Sequence, residues 1–197
     1  MPVSRKRRSK GTRRTGGGRD PVVALMREAA RYPLRECLIN KTWRDQKLAS
    51  ILLTRSRPDG RLAFAAFCVD TGCLGVKSAT GNPSISEWDY RQAVNRLSNN
   101  LGGLEPCDPA LALKVIRGAR NYAARLGFKP DPDYSFSVEM FGTIDPESCG
   151  EEIEFGRDGK PLYVAGPNDD IKHVVGHLTR SLGPGGFHYI IPMDLDD

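Results

Sequence analysis

Apolar and polar residues come in blocks along this chain, and block length separates strands from helices. Residues 34–40 make a short strand candidate, and 48–55 and 62–69 are stronger, more apolar runs of strand length. The third, LAFAAFCV, is apolar on both faces, as a central strand is. Arg57-Pro58-Asp59-Gly60 joins the second run to the third, with Pro and Gly where a turn needs them. Thr71-Gly72 breaks the third run, and Leu74-Gly75-Val76 opens another strand. The pattern predicts an antiparallel meander.

Helical spacing takes over between and after these runs. Asp20-Pro21 reads as a helix start, with Pro33 stopping that helix after Tyr32. Ser84-x-x-Glu87 has capping-box spacing ahead of Trp88, Val94, Leu97 and Leu101, and Gly102-Gly103 ends the segment. Asp108-Pro109 starts the best-defined helix, over 109–126, striped by Leu111, Val115, Ala119, Tyr122 and Leu126 and ended by Gly127. In the last third, 152–155 and 162–164 flank Arg157-Asp158-Gly159-Lys160, a hairpin signal. Asn168 or Asp169 caps a helix to Leu182, and a last strand covers 187–191. These elements predict an α+β fold: a mainly antiparallel sheet, an N-terminal meander plus a C-terminal β-β-α-β unit, covered by helices. Residues 21–197 are read as one domain, with Trp43 and Trp88 in its core.

Charge changes this picture at one end. The 29 Lys/Arg and 24 Asp/Glu give a net charge of +5, but residues 1–20 hold eight of the cations and one acid. That leaves 21 cations against 23 acids, or −2, for the rest. The basic character belongs to a tail, which cannot bury apolar area and is expected to be disordered when unbound. Arg5, Lys6, Arg7, Arg8, Lys10, Arg13, Arg14 and Arg19 suit phosphate contact, because guanidinium groups bind phosphate bidentately. The helix over 109–126 extends the charge: Lys114, Arg117, Arg120 and Arg125 fall within an arc of roughly 140°, off the apolar stripe, with no acid among them.

Other features narrow the class. The five cysteines (37, 68, 73, 107 and 149) form no CxxC and no zinc-finger spacing, which points to reduced, mostly buried thiols in a cytoplasmic protein. No apolar run approaches the roughly 20 residues of a membrane span, and the glycines after the basic cluster fit neither a signal peptide nor an amphipathic presequence.

Three constellations carry candidate chemistry. Asp70-Thr71-Gly72-Cys73-Leu74-Gly75-Val76-Lys77 places a carboxylate, a thiol and an amine after a buried strand. Asp-Thr-Gly is the short signature of aspartic proteases, where two such carboxyls share a proton, and this chain has one. Cys73 is alternatively a nucleophile, if Lys77 or a histidine activates it. The competing reading is a strand ending in a turn: Asp70 bonds local backbone, Gly72 adopts an unusual dihedral and Cys73 is buried. His173 and His177, at i and i+4, have the spacing of a shared metal, with Asp169 or His188 as a further ligand. The glutamate of HExxH is missing, and both rings point away from the core stripe of Ile171, Val174, Val175, Leu178 and Leu182, so no metal is assigned. Gly183-Pro184-Gly185-Gly186 runs from helix to strand, the wrong order for a phosphate loop, and Asp169-Asp170 would repel phosphate at the preceding turn.

The expectation is therefore a small binding protein whose tail contacts RNA, DNA or a ribonucleoprotein, with Lys114, Arg117 and Arg120 as a second contact. It needs no cofactor and no membrane. Alternatives are a hydrolase-type enzyme centred on Asp70 and Cys73, and an adaptor whose tail meets an acidic protein.

Overall fold

The computed structural model describes residues 19–191. Four strands form the expected meander: β1 (Leu34–Asn40), β2 (Leu48–Ser56), β3 (Leu62–Asp70) and β4 (Gly75–Ile85). A fifth, β5 (Leu104–Pro106), pairs antiparallel with β1, so the sheet order is β4-β3-β2-β1-β5. β2 and β3 pair without a break from Leu48↔Asp70 to Ser56↔Leu62. The Arg57–Gly60 connection closes as expected, with Gly60 at φ 76°. The fold is α+β.

Helices cover both faces because the side chains of a strand alternate between them. On one face Ile51, Leu53, Ala63, Ala65, Phe67 and Val69 form the main core with α1 (Arg19–Ala29), α4 (Pro109–Arg125) and α5 (Tyr134–Ser137). Leu52, Leu62, Phe64 and Ala66 point the other way, against Tyr90, Val94 and Leu97 of α3 (Glu87–Asn100). α3 carries the chain from β4 at one edge to β5 at the other, and α4 returns across the opposite face. A short helix, α2 (Trp43–Gln46), fills the β1–β2 connection.

The C-terminal part differs from expectation in one element. Residues 152–155 form no strand; they lie extended across α4, where Phe155 packs on Gly118 and stacks with Tyr122 at 5.8 Å. The Asp158-Gly159 turn does form, with both residues at positive φ and Arg157 bridged to Lys160. β6 (Leu162–Val164) pairs parallel with β7 (His188–Ile190), and α6 (Ile171–Leu182) makes the crossover. Its cap is Asp170, which accepts from the N–H of His173, rather than Asn168 or Asp169. This unit has its own small core of Cys73, Tyr163, Val174, Leu178 and Phe187.

Other boundaries shift for local reasons. α1 begins at Arg19, ahead of Asp20, and turns on through Tyr32 to Pro33. α3 is capped by Ser86, not Ser84, because β4 continues to Ile85. Trp43 is buried as expected, but Trp88 is 70% exposed. No helix of the described residues is long and apolar enough to cross a membrane.

Candidate functional site

The Asp70–Lys77 segment joins the main sheet to the C-terminal unit. Asp70 is buried, and its Oδ1 accepts from the N–H groups of Cys73 (2.7 Å) and Leu74 (3.2 Å). The carboxyl therefore caps the turn that ends β3. Burial raises its pKa, opposed by those N–H donors and by Lys77. Gly72 is needed for close approach rather than for an unusual dihedral: a Cβ there would sit 2.2 Å from the Leu162 carbonyl oxygen. The left-handed position is Gly75 (φ 73°), where a Cβ would meet Ala123 of α4 at 2.7 Å. Two glycines thus let this turn touch both β6 and α4.

This arrangement separates the candidate catalytic groups. Cys73 is fully enclosed in the C-terminal core, where burial and the Asp70 charge push its thiol upward. A thiol so placed stays protonated and meets no substrate. Lys77 pairs with Asp169, Nζ lying 2.7 Å from Oδ1 and 2.9 Å from Oδ2. Gly166 N–H also donates to Asp169, at 2.9 Å, as does the Tyr163 hydroxyl, at 3.4 Å. Burial works to raise the Asp169 carboxyl, but Lys77 and these donors together hold it below the usual carboxylate range. Burial and Asp169 push the Tyr163 phenol up to about 12. A cavity of about 430 Å³ opens beside Asp70 and Lys77, walled by Leu48, Val164, Ala165 and Ile190. It lacks an activated nucleophile: Cys73 is not in its wall, and Lys77 is already paired.

His177 is a packing and capping group. The His177 Nε2 lies 2.7 Å from the Leu126 carbonyl at the end of α4, and its ring packs on Phe128. His173 is exposed and stacks with it at 6.4 Å. Among the described residues, no group of three or more His, Cys, Asp or Glu could hold a metal ion.

The cations of α4 divide by environment. Lys114 donates to the Cys149 carbonyl at 2.8 Å. Arg120 is half-buried, with its guanidinium 5.8 Å above the Tyr134 ring. Arg117 and Arg125 are exposed and form no ion pair among the described residues. Leu113 falls inside the basic arc yet is fully buried, because residues 146–155 cover part of that side. A recess of about 310 Å³ there is lined by Lys114, Arg117, Asn121 and Glu147, so its field is mixed. Arg5, Lys6, Arg7, Arg8, Lys10, Arg13 and Arg14 lie outside the described residues.

Two cations not singled out by the sequence pattern, Arg27 of α1 and Arg31 in the turn after it, border a cleft of about 720 Å³. Arg27 is held by Glu139 at 3.0 Å, and Arg31 is exposed. Arg55, at the base, donates to the carbonyls of Tyr32, Met140 and Phe141, which fixes it structurally. The helical position of Arg27 was readable; the nearness of Arg27 and Arg31 to the start of α4, at Asp108 and Pro109, depends on tertiary packing. Comparison of the chain with known families, with characterised proteins and with solved structures returns no match.

Proposed function

We propose that this chain is a binding module for nucleic acid or a ribonucleoprotein. Residues 5–14 supply the main phosphate contacts, and α4 supplies a second, weaker one through Arg117, with Lys114 and Arg120 beside it. The observation that carries the reading is the charge partition: eight cations in the first 20 residues against a net −2 over the rest. Supporting it, α1, which takes up the last two residues of the basic segment, packs on the same sheet face as α4. Each phosphate neutralised releases counterions, so such binding is salt-sensitive and nearly blind to sequence.

The test is fluorescence anisotropy of labelled single-stranded RNA and duplex DNA, titrated with the full chain at several salt concentrations. Binding should weaken steeply with salt. Removing residues 1–19 should abolish most of it, and Arg117→Ala should flatten the salt slope by about one. Affinity unchanged by the truncation would overturn the reading. If a pull-down partner survives nuclease and is acidic, the tail serves an acidic protein instead.

A further inference from the structure

Cys37 and Cys107 lie 70 positions apart in the chain but directly opposite each other in the sheet. The β1–β5 register runs Asn40↔Leu104, Ile39↔Glu105, Leu38↔Pro106, and the next pair is Cys37 and Cys107. The Cys107 N–H donates to the Cys37 carbonyl at 2.9 Å, which continues the ladder one step beyond β5. Residues so bonded have Cα atoms about 5.5 Å apart, inside the range a disulfide spans. Both side chains border the main core, and the Cys107 thiol donates to the Asp108 carbonyl at 3.3 Å.

The two sulfurs are not equivalent. Cys37 is buried, whereas Cys107 is half-exposed. Cys107 also immediately precedes Asp108, the cap of the 17-residue α4, so it stands at the positive end of a long helix. The neighbouring Cys37 thiol favours ionisation of Cys107, against burial and the charges of Asp108 and Glu151, while the Cys37 thiol is itself pushed up.

We propose that Cys107 and Cys37 form an oxidisable dithiol, with Cys107 as the attacking thiolate and Cys37 as the resolving thiol, and with a small hydroperoxide as oxidant. In the first step the Cys107 thiolate attacks the peroxide oxygen. The O–O bond breaks, Cys107 becomes a sulfenic acid and the leaving oxygen departs as alcohol or water. In the second, the Cys37 sulfur attacks the Cys107 sulfur, the S–O bond breaks and water leaves with the Cys37 proton. Two thiols are oxidised to one disulfide, and one peroxide is reduced. A backbone-hydrogen-bonded cross-strand pair must pinch its Cβ atoms together to close this bond, so an external dithiol reopens it readily.

The experiment treats the reduced full-length protein with one equivalent of hydrogen peroxide and reads the products by mass spectrometry after thiol blocking and trypsin digestion. Cys37 falls in the peptide 36–41 and Cys107 in 97–114, each with a single cysteine. The expected product is these two peptides joined, with the whole chain lighter by two hydrogens and restored by dithiothreitol. Cys37→Ser should instead leave Cys107 as a sulfenic acid captured by dimedone. Cys107→Ser should slow peroxide consumption at least tenfold and give no linked peptide. Circular dichroism confirms that both variants fold. The proposal is overturned if Cys107 reacts no faster than the half-buried Cys68, or if the linkage joins a different pair.

Discussion

Asp70 and Gly72 show how a motif with catalytic overtones can be structural. The Asp70 carboxyl raised by burial binds its proton more tightly in the folded than in the unfolded chain. Its stabilising contribution is therefore complete below the ordinary carboxylate pKa and is lost as pH rises through the raised folded value. Asp70→Asn keeps an oxygen for the Cys73 and Leu74 N–H groups without the charge. Its stability relative to the native chain, measured by urea unfolding, should rise from about pH 4 to pH 7. An Asn variant less stable than the native chain at pH 7 would show that the charge itself holds the turn. Asp70→Ala leaves the buried Cys73 N–H and the half-buried Leu74 N–H unpaired and should cost about 1–3 kcal/mol. Gly72→Ala pushes a methyl against the Leu162 carbonyl and should cost about 1–3 kcal/mol in the same assay. Gly60→Ala, at positive φ but in open space, should cost about 1 kcal/mol. Equal losses at the two glycines would refute the close-approach account. The sequence announced a turn here and a local role for Asp70; it could not announce that Leu162, 90 positions away, sits on Gly72.

At the scale of elements, legibility followed how strongly each segment's own chemistry fixed it. β2 and β3 have apolar runs bracketed by turn residues, β1 is a shorter, mixed segment after Pro33, and α4 has both a cap and a stripe, so their bounds were readable to within a residue or so. β4 was readable only at its start, because GVKSATGNPSI is too polar to signal a strand; it is held by pairing with β3 and by Arg57 and Arg61, which donate to the Pro83 and Ser84 carbonyls. The extra strand residues moved the α3 cap from Ser84 to Ser86. Ser86 Oγ accepts from the Asp89 N–H at 3.1 Å, whereas Ser84 Oγ accepts from Arg61 on the surface. Ser86→Ala should therefore lower unfolding stability by about 1 kcal/mol, and Ser84→Ala by a few tenths. The reverse order would restore Ser84 as the cap. Residues 152–155 went the other way: apolar and acidic residues alternate as in a strand, but no strand partner meets them, and Phe155 docks on α4 because Gly118 leaves room for its ring. Pairing of Cys37 with Cys107 was out of reach of any local pattern, since it depends on β5 returning beside β1 after α3 has crossed the sheet.

For the whole molecule, the central question is how a cationic segment serves a body of opposite sign. The body is internally compensated: Lys47, Lys77, Arg27, Arg35 and Arg44 each meet a carboxylate, and Glu147 shares the recess of Lys114 and Arg117. On the proposed reading, long-range attraction to a polyanion rests on the first 20 residues, and α4 acts only at short range, within about one Debye length, 8–10 Å at physiological salt. Deleting residues 1–20 should therefore reverse the molecule's behaviour rather than merely weaken it. The native chain, at +5, should be retained on a heparin or cation-exchange column at pH 7 and elute with salt, while the trimmed chain, at −2, should pass through and bind an anion exchanger. Its urea midpoint should fall only slightly, because the three cores are built from residues after Asp20 and the cut takes only Arg19 and Asp20 from the start of α1. Retention of the trimmed chain on heparin would mean that Arg31, Arg117 and their neighbours make a sufficient anionic-polymer site on the folded domain, and the tail would then be an accessory to it.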